Sequence, residues 1–130
     1  MESKKFELIT AFEVFEHLDE PEESLLYFLS KTESAVVFSV PNTGYIIHRL
    51  RLLFGYFPFQ WKSHPGEHLR YWTYKDMKWW LSVYLGFDKN EYKIICYAYL
   101  FPFFVKIFPF LSSLLAKGLF VQINKKSNLD

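Results

Sequence analysis

The chain has 130 residues, which is enough for one domain with its own hydrophobic core, and we predict a single domain over residues 1–130. Hydrophobic residues make up 51% of the chain and aromatic residues 22%, so we expect some apolar surface to remain exposed. The formal net charge of +1 provides no strongly basic face, and we therefore expect no nucleic-acid partner.

The cellular compartment is predicted from the cysteine content and the first residues. Cys96 is the only cysteine, so no intrachain disulfide can form, as is typical of intracellular proteins. The first five residues are polar and charged and lack the pattern of a secretory signal peptide. We predict a cytoplasmic protein.

A short apolar run near the start of the chain ends in a group of acids and a histidine. Residues 6–12 predict a strand, and Glu13, Glu16 and His17 follow it at once. Open α/β sheets bind their ligands just beyond the carboxyl ends of parallel strands. Residues 13–17 are therefore the first candidates for chemistry.

A helix and a second strand follow these acids. Asp19 as the capping residue, Pro21 and two further acids predict a helix start. The buried face of this helix is predicted to comprise Leu25, Leu26 and Leu29. Residues 35–40 are too few and too β-branched for a helix and predict a buried strand. Strand, helix and strand in this order predict a right-handed crossover between parallel strands.

The middle of the chain predicts two helices with a loop between them. In residues 45–54, the helical spacing of Ile46, Leu50 and Leu53 predicts an amphipathic helix, whose other side carries His48, Arg49 and Arg51. Residues 56–72 are aromatic, contain two prolines and show no sustained period, so we interpret them as a lid over a site.

The next helix has clear start and stop signals. Thr73 with Asp76 three residues later predicts its start, and Gly86 predicts its end. Its apolar stripe is predicted to comprise Met77, Trp80, Leu81 and Tyr84.

The last third of the chain predicts two strands, residues 92–99 and 119–124. The apolar insertion between them, residues 101–117, is interrupted by Pro102, Lys106 and Pro109, so it is too short to cross a membrane. Lying on a membrane surface is compatible with this pattern.

The residues Ala11 to Pro21, AFEVFEHLDEP, with the strands around them, resemble class I S-adenosylmethionine-dependent methyltransferases, in particular the O-methyltransferases of ubiquinone biosynthesis. The resemblance extends over about residues 6–87. It implies an α/β fold, a partial Rossmann-like methyltransferase sheet with flanking helices, in which the strands correspond to strands four to seven and the last pair is antiparallel.

The same resemblance implies that a part of the domain is not in this sequence. The family binds its cofactor largely through a glycine-rich loop after its first strand and an acid after its second. No two glycines of this chain form a GxGxxG motif. We expect the chain to be the C-terminal part of a methyltransferase domain, lacking the glycine-rich cofactor loop.

The cofactor implied is S-adenosylmethionine, bound once the other half of the domain is supplied. Carried over from the family, Ala11, Phe12 and Glu13 lie at the cofactor site, with Phe12 beside the methionine part. Glu13 and His68 are the candidate catalytic residues. His68 belongs to the string EHLRYWT at 67–73, which is similar to one found in the family, and a histidine near the acceptor suits a general base. The alternative is a structural histidine that holds the lid.

A divalent metal is a second implied cofactor. In the resembling enzymes the E-x-x-E-H pattern is associated with such a metal, which makes Glu13, Glu16 and His17 the candidate ligands. One helical turn would bring their two carboxylates and one imidazole to the same side. The alternative is that Glu16 and His17 bond to backbone at a turn while Glu13 orients a neighbour.

The acceptor is expected to be a small molecule, anionic or lipid-linked. Asn42 follows the second strand, and Arg51 and Trp61 belong to a stretch rich in positive charge and aromatic rings, so we predict substrate contacts for all three. An ordinary turn residue is the alternative for Asn42, and a solvated helix face is the alternative for the arginine.

Two functions remain open at this point. The first is a small-molecule methyltransferase that is active with an N-terminal half. The second is a noncatalytic remnant or interaction subunit, peripheral to a membrane. In the complete family fold another strand pairs beside Phe6 to Phe12, so without it this strand offers an unpaired apolar edge to a protein partner.

Overall fold

A computed structural model describes residues 5–59 and 65–125 of the chain. The strands β1 to β4 span Phe6–Phe12, Thr32–Pro41, Tyr92–Tyr99 and Ala116–Asn124. The helices α1 to α5 span Pro21–Lys31, Ile46–Leu53, Tyr74–Trp79, Pro102–Ile107 and Ser112–Leu115. Two 3₁₀ turns, Phe15–His17 and Pro109–Leu111, and a π-helical turn that continues α3 over Trp80–Tyr84 complete these elements.

The four strands form one mixed sheet in the order β1-β2-β4-β3. The predicted parallel pairing of the first two strands is confirmed, with Leu8 opposite Ala35 and Phe12 opposite Ser39. The antiparallel last pair is confirmed as well, and β4 lies between β3 and β2. Because β2 and β3 are both antiparallel to β4, they run in the same direction as β1. The carboxyl ends of β1, β2 and β3 therefore meet at one edge, called here the carboxyl edge.

The core lies on both faces of β2. Val36, Phe38 and Val40 are fully buried, and Ala35 and Ser39 are nearly so. A strand covered on both faces needs an apolar run rather than alternation, and that is what residues 35–40 supply. β1 differs, because Phe6, Leu8 and Phe12 are about half exposed and β1 is an edge strand of the described sheet.

The start and the packing of α1 differ in part from the sequence prediction. The residue before the helix is Glu20, not Asp19, and no side chain caps this end. Leu25 is fully buried as predicted, whereas Leu26 is 52% exposed. The start of α1 is instead held by a tertiary contact, since the indole Nε1 of Trp80 donates to Glu22 Oε1 at 2.7 Å.

α3 begins with the predicted capping box. The Thr73 hydroxyl accepts from the Asp76 backbone amide, and the Asp76 carboxylate accepts from the Thr73 backbone amide. Three residues of the predicted stripe are buried in the core, Met77, Trp80 and Leu81, while Tyr84 is exposed. Gly86 ends the helix with a φ of +77°.

The predicted apolar side of α2 is largely exposed, and a residue of its other side is buried. Leu50 is 43% exposed and Leu53 75%, and the buried residue of this helix is His48. The insertion at 101–117 forms α4, a 3₁₀ turn and α5, and β4 begins already at Ala116. Within the described residues, no helix combines the length and the apolar character needed to cross a membrane.

Candidate active site

Glu13 stands at the centre of the carboxyl edge. It follows β1 directly, and its carboxylate Oε1 accepts hydrogen bonds from the hydroxyls of Ser39 at 2.7 Å and Tyr97 at 3.2 Å. Its backbone amide donates to both the carbonyl and the hydroxyl oxygen of Ser39, each at 3.2 Å. Three strands therefore hold one partly open carboxylate in a fixed position.

Backbone strain is concentrated at the same place. Two non-glycine residues in the described part of the chain have left-handed backbone, Glu13 at φ +52° and Ala98 at φ +55°. Such conformations are costly for residues with a side chain and accumulate at functional sites. Ala98 follows Tyr97 on β3, so both strained residues flank the same carboxylate contact.

Tyr97 was not singled out by sequence reasoning. Its pKa is raised above the usual value, first by burial and then by the negative charge of Glu13. Its ring lies over Gly118 of β4, where a Cβ atom would meet ring atoms at 2.4–2.5 Å. Its place at the carboxyl edge follows from the sheet order and the direction of β3, which local sequence does not give.

Glu16 lies one turn further on, and it is buried. Its side chain is 1% exposed, and neither carboxylate oxygen has a hydrogen-bond partner among the described residues. Burial raises its pKa to about 7, and the negative charge of Glu13 acts in the same direction.

The lid segment covers this turn. The backbone amides of Leu69 and Arg70 donate to the Glu16 carbonyl at 2.7 and 3.1 Å, and the Arg70 guanidinium donates to the Asp19 carbonyl. Trp72 is buried and bridges to Asn42 of the loop after β2. The described second half of the predicted lid is thus packed onto the candidate site.

Two histidines lie beside Glu16. His17 Nδ1 is 2.7 Å from the Glu67 carbonyl oxygen, and His17 Nε2 is 3.9 Å from Glu16 Oε1. The rings of His17 and His68 meet edge to face at 4.7 Å. One donor atom from each of Glu16, His17 and His68 lies within 4.8 Å of the others. Glu13, the third member of the predicted metal set, is instead engaged by Ser39 and Tyr97.

Asn42 is placed inside the fold. It is fully buried, its amide nitrogen donates to the carbonyls of Ser113 and Ala116, and its amide oxygen accepts from the Gly44 amide. With these hydrogen bonds formed, the Asn42 side chain has little capacity left to bond a substrate. The alternative interpretation of Asn42 as a turn residue fits this geometry better than the predicted substrate contact.

Arg51 organises the segment that follows α2. Its Nε donates to the Phe57 carbonyl at 2.8 Å, and its guanidinium lies 4.0 Å from the centre of the Phe59 ring. Trp61, the other aromatic substrate candidate, lies outside the described residues.

The predicted cofactor residues lie at the end of β1. Ala11 is buried in the core, whereas Phe12 is 54% exposed and touches Phe120 edge to face at 5.7 Å. An exposed aromatic ring directly before Glu13 is open to a ligand at the carboxyl edge.

Comparison with known proteins shows the family of this chain. The model of a family described as a methyltransferase domain matches residues 1–89. The chain belongs to this methyltransferase family. Among solved structures, it is similar to an S-adenosylmethionine-dependent methyltransferase from Archaeoglobus fulgidus, with 16% identity and a TM-score of 0.53. No match was found among the curated proteins.

This methyltransferase domain spans about three fifths of the related structure. The similarity covers 95% of the present chain and 61% of the Archaeoglobus chain. The family match ends at residue 89, so β3, β4 and the segment between them lie beyond it. The family match includes Glu13, Glu16, His17 and His68.

Proposed function

We propose that this methyltransferase domain transfers a methyl group from S-adenosylmethionine to a small molecule. The observation that carries the proposal is the Glu13 carboxylate, held by Ser39 and Tyr97 at the carboxyl edge beside the exposed ring of Phe12. Ligands of open α/β sheets bind outside the carboxyl ends of parallel strands. Phe12 and Glu13 would contact the cofactor, and the buried Ala11 would line the cofactor site next to them.

Methyl transfer requires that the acceptor be aligned with the methyl group and that one group take a proton. The bound cofactor supplies the methyl group, and the residues around it need only align the acceptor and take its proton. His68 is the proposed base, because its imidazole lies against His17 and close to the buried Glu16 carboxylate. An ionised Glu16 would favour the protonated form of a neighbouring imidazole.

The cofactor-binding loop would be supplied by a further polypeptide segment, in the same chain or in a partner. Two facts support this part of the proposal: the sequence contains no GxGxxG motif, and it covers 61% of the related structure. We propose an anionic or lipid-linked acceptor, because Arg51 lies among the exposed rings of Tyr56 and Phe59.

A divalent cation fits the donors beside this site. Since a carbonyl oxygen can only accept, His17 donates through Nδ1–H, and in the neutral ring Nε2 then carries the lone pair, on the side of the Glu16 carboxylate. A lone pair facing a buried carboxylate is stabilised by a cation or a proton between them. Glu16, His17 and His68 would hold the metal, and one carboxylate with two imidazoles suits Zn²⁺, Mn²⁺ or Fe²⁺. An imidazole bound to a metal cannot take the acceptor's proton, so this metal site is an alternative to His68 as the base.

Metal binding can be measured without turnover. Calorimetric titration of the chain with Zn²⁺ and Mn²⁺ should show saturable binding that His68→Ala and Glu16→Gln each abolish. Glu33→Gln, an exposed position at the other end of β2, is the matched control. Binding that survives both site variants would overturn this donor set.

Equilibrium binding of S-adenosylmethionine tests the main proposal. We expect the purified chain to bind the cofactor in a mixture with the N-terminal half of a related methyltransferase that carries the glycine-rich loop. Absence of binding under every such complementation would contradict the proposal.

A noncatalytic interaction subunit is the second candidate function. It is favoured by β1, an edge strand whose Phe6 and Leu8 are about half exposed and which can accept a strand from a partner. Stable pairing with the N-terminal half in the absence of any cofactor binding would support this candidate over the enzyme.

A further inference from the structure

Exposed large apolar side chains are concentrated in two short segments. Of twenty-five such residues in the described part of the chain, thirteen lie in residues 50–59 and 101–110. The highest exposures are 75% at Leu53, 73% at Phe54, 71% at Phe103 and 77% at Phe110. These two segments are called here the apolar end surface. Apolar exposure on this scale indicates an interaction site.

Both segments extend from the carboxyl edge of the sheet. α2 follows the end of β2, and α4 follows the end of β3. Asn42 connects the chain next to both segments. It precedes α2, and its side-chain amide donates to the carbonyls of Ser113 and Ala116, which follow the second segment. On either side of the second segment, the Leu100 amide donates to the Leu115 carbonyl. The apolar end surface therefore lies at the same end of the molecule as the candidate active site.

The charged residues of the two segments and their flanks are all basic. The sequence contains no Asp or Glu in residues 42–66 or in residues 92–129, whereas Arg49, Arg51, Lys106 and Lys117 lie within or next to the two segments. Arg51 lies across the Phe59 ring, at 4.0 Å, with Tyr56 5.7 Å away. Exposed aromatic rings mixed with basic side chains are typical of protein surfaces that enter the headgroup region of a bilayer.

We infer that the apolar end surface binds the surface of an anionic membrane. The apolar side chains would enter the interface, and the basic residues would pair with acidic headgroups. Residues 101–110 lie beyond the family match, which ends at residue 89. The inference does not depend on methyl transfer.

Vesicle flotation of the purified chain tests the inference. Vesicles of phosphatidylcholine with phosphatidylglycerol should bind the chain, vesicles of phosphatidylcholine alone should bind it less, and added salt should release it. The double variant Phe103→Ser with Phe110→Ser should reduce partitioning by about tenfold or more, since burying one such side chain is worth about 1.5–3 kcal/mol. Lys106→Glu should reduce binding to the anionic vesicles only.

The control is a pair of equally exposed apolar residues elsewhere. Val83 and Tyr84 are 67% and 62% exposed in the turn after α3, and replacing both with Ser should leave partitioning unchanged. Circular dichroism checks that every variant is folded. Equal loss in the control pair, or no binding to anionic vesicles, would overturn the inference. Two further results would overturn it, because each would show that a protein covers this surface. One is vesicle binding that disappears when the N-terminal half is added. The other is a dimer, detected by ultracentrifugation, that dissociates in the Phe103/Phe110 variant only.

Discussion

At the scale of single residues, Glu16 is a buried acid without a hydrogen-bond partner among the described residues. Its pKa rises from 4.5 to about 7 on folding, mainly through burial. The folded state therefore holds a proton that the unfolded state has released, and stability falls as the pH rises from 4.5 to about 7.

Glu16→Gln should remove this pH dependence. In the presence of a metal chelator, the free energy of unfolding of the variant should equal that of the parent protein below pH 4.5. Above pH 7 it should be higher by about 2–3 kcal/mol, as measured by urea unfolding across this range. Glu33→Gln provides the control for removing an exposed acid. A stability difference that stays constant with pH would show that Glu16 titrates normally.

Asn42→Ala tests the interpretation of Asn42 as a structural residue. The substitution removes three hydrogen bonds and leaves the carbonyls of Ser113 and the fully buried Ala116 with one donor fewer. We expect a loss of about 2–4 kcal/mol in the free energy of unfolding, against less than about 0.5 kcal/mol for the exposed Asn90→Ala. A loss of ligand binding at unchanged stability would restore the substrate role.

At the scale of elements, the Glu13 site depends on the close approach of β3 and β4. Tyr97 lies opposite Gly118, and its ring occupies the space that a side chain at that position would need. The ring also packs against Phe120 at 4.3 Å. The Tyr97 hydroxyl reaches Glu13 only because Gly118 has no Cβ.

Gly118→Ala should therefore displace Tyr97 and destabilise the fold. We expect a loss of about 1–3 kcal/mol, the typical cost of overpacking, measured by chemical denaturation. In a Tyr97→Ala background the same substitution should cost clearly less, and this double-mutant cycle assigns the effect to the ring. Equal costs in both backgrounds would show that the ring is not the obstacle.

The elements themselves were largely predictable from local sequence. β1 and β3 have the predicted bounds, and the α3 capping box is present, because strand runs, turns and caps are written in a few neighbouring residues. The buried face of α2 was not predictable. Its periodicity is that of an amphipathic helix, but periodicity does not say whether the apolar side faces a core or the outside.

The site was predictable only in part, for a related reason. Glu13, Glu16, His17 and His68 were identified from sequence, but their grouping depends on the left-handed turn at Glu13, which separates Glu13 from the other three. Tyr97 is separated from Glu13 by 84 residues, and nothing local marks such a contact.

At the scale of the whole molecule, the sheet is unequally protected on its two sides. β2 pairs with a strand on each side, whereas β1 pairs on one side within the described residues. The outward amide groups of an edge strand are open to water or to a partner strand.

Amide hydrogen exchange should report this asymmetry. We expect slow exchange throughout residues 35–40 and fast exchange at the alternate amides of residues 6–12 that face away from β2. Addition of the N-terminal half should slow these amides selectively. Uniform protection of β1 in the isolated chain would mean that its edge is already covered, for example by a second copy.

The central claim is that the ligand site of this methyltransferase domain lies at the carboxyl edge, around Glu13. The most direct test is the Kd of S-adenosylmethionine for the complemented protein, compared between the parent chain, Glu13→Gln and the exposed control Glu33→Gln. We predict cofactor binding by the parent and the control, and binding weakened by about tenfold or more in Glu13→Gln, since a hydrogen bond to a charged group contributes about 1.5–3 kcal/mol. Equal affinity in all three proteins, or no binding in any, would contradict this account.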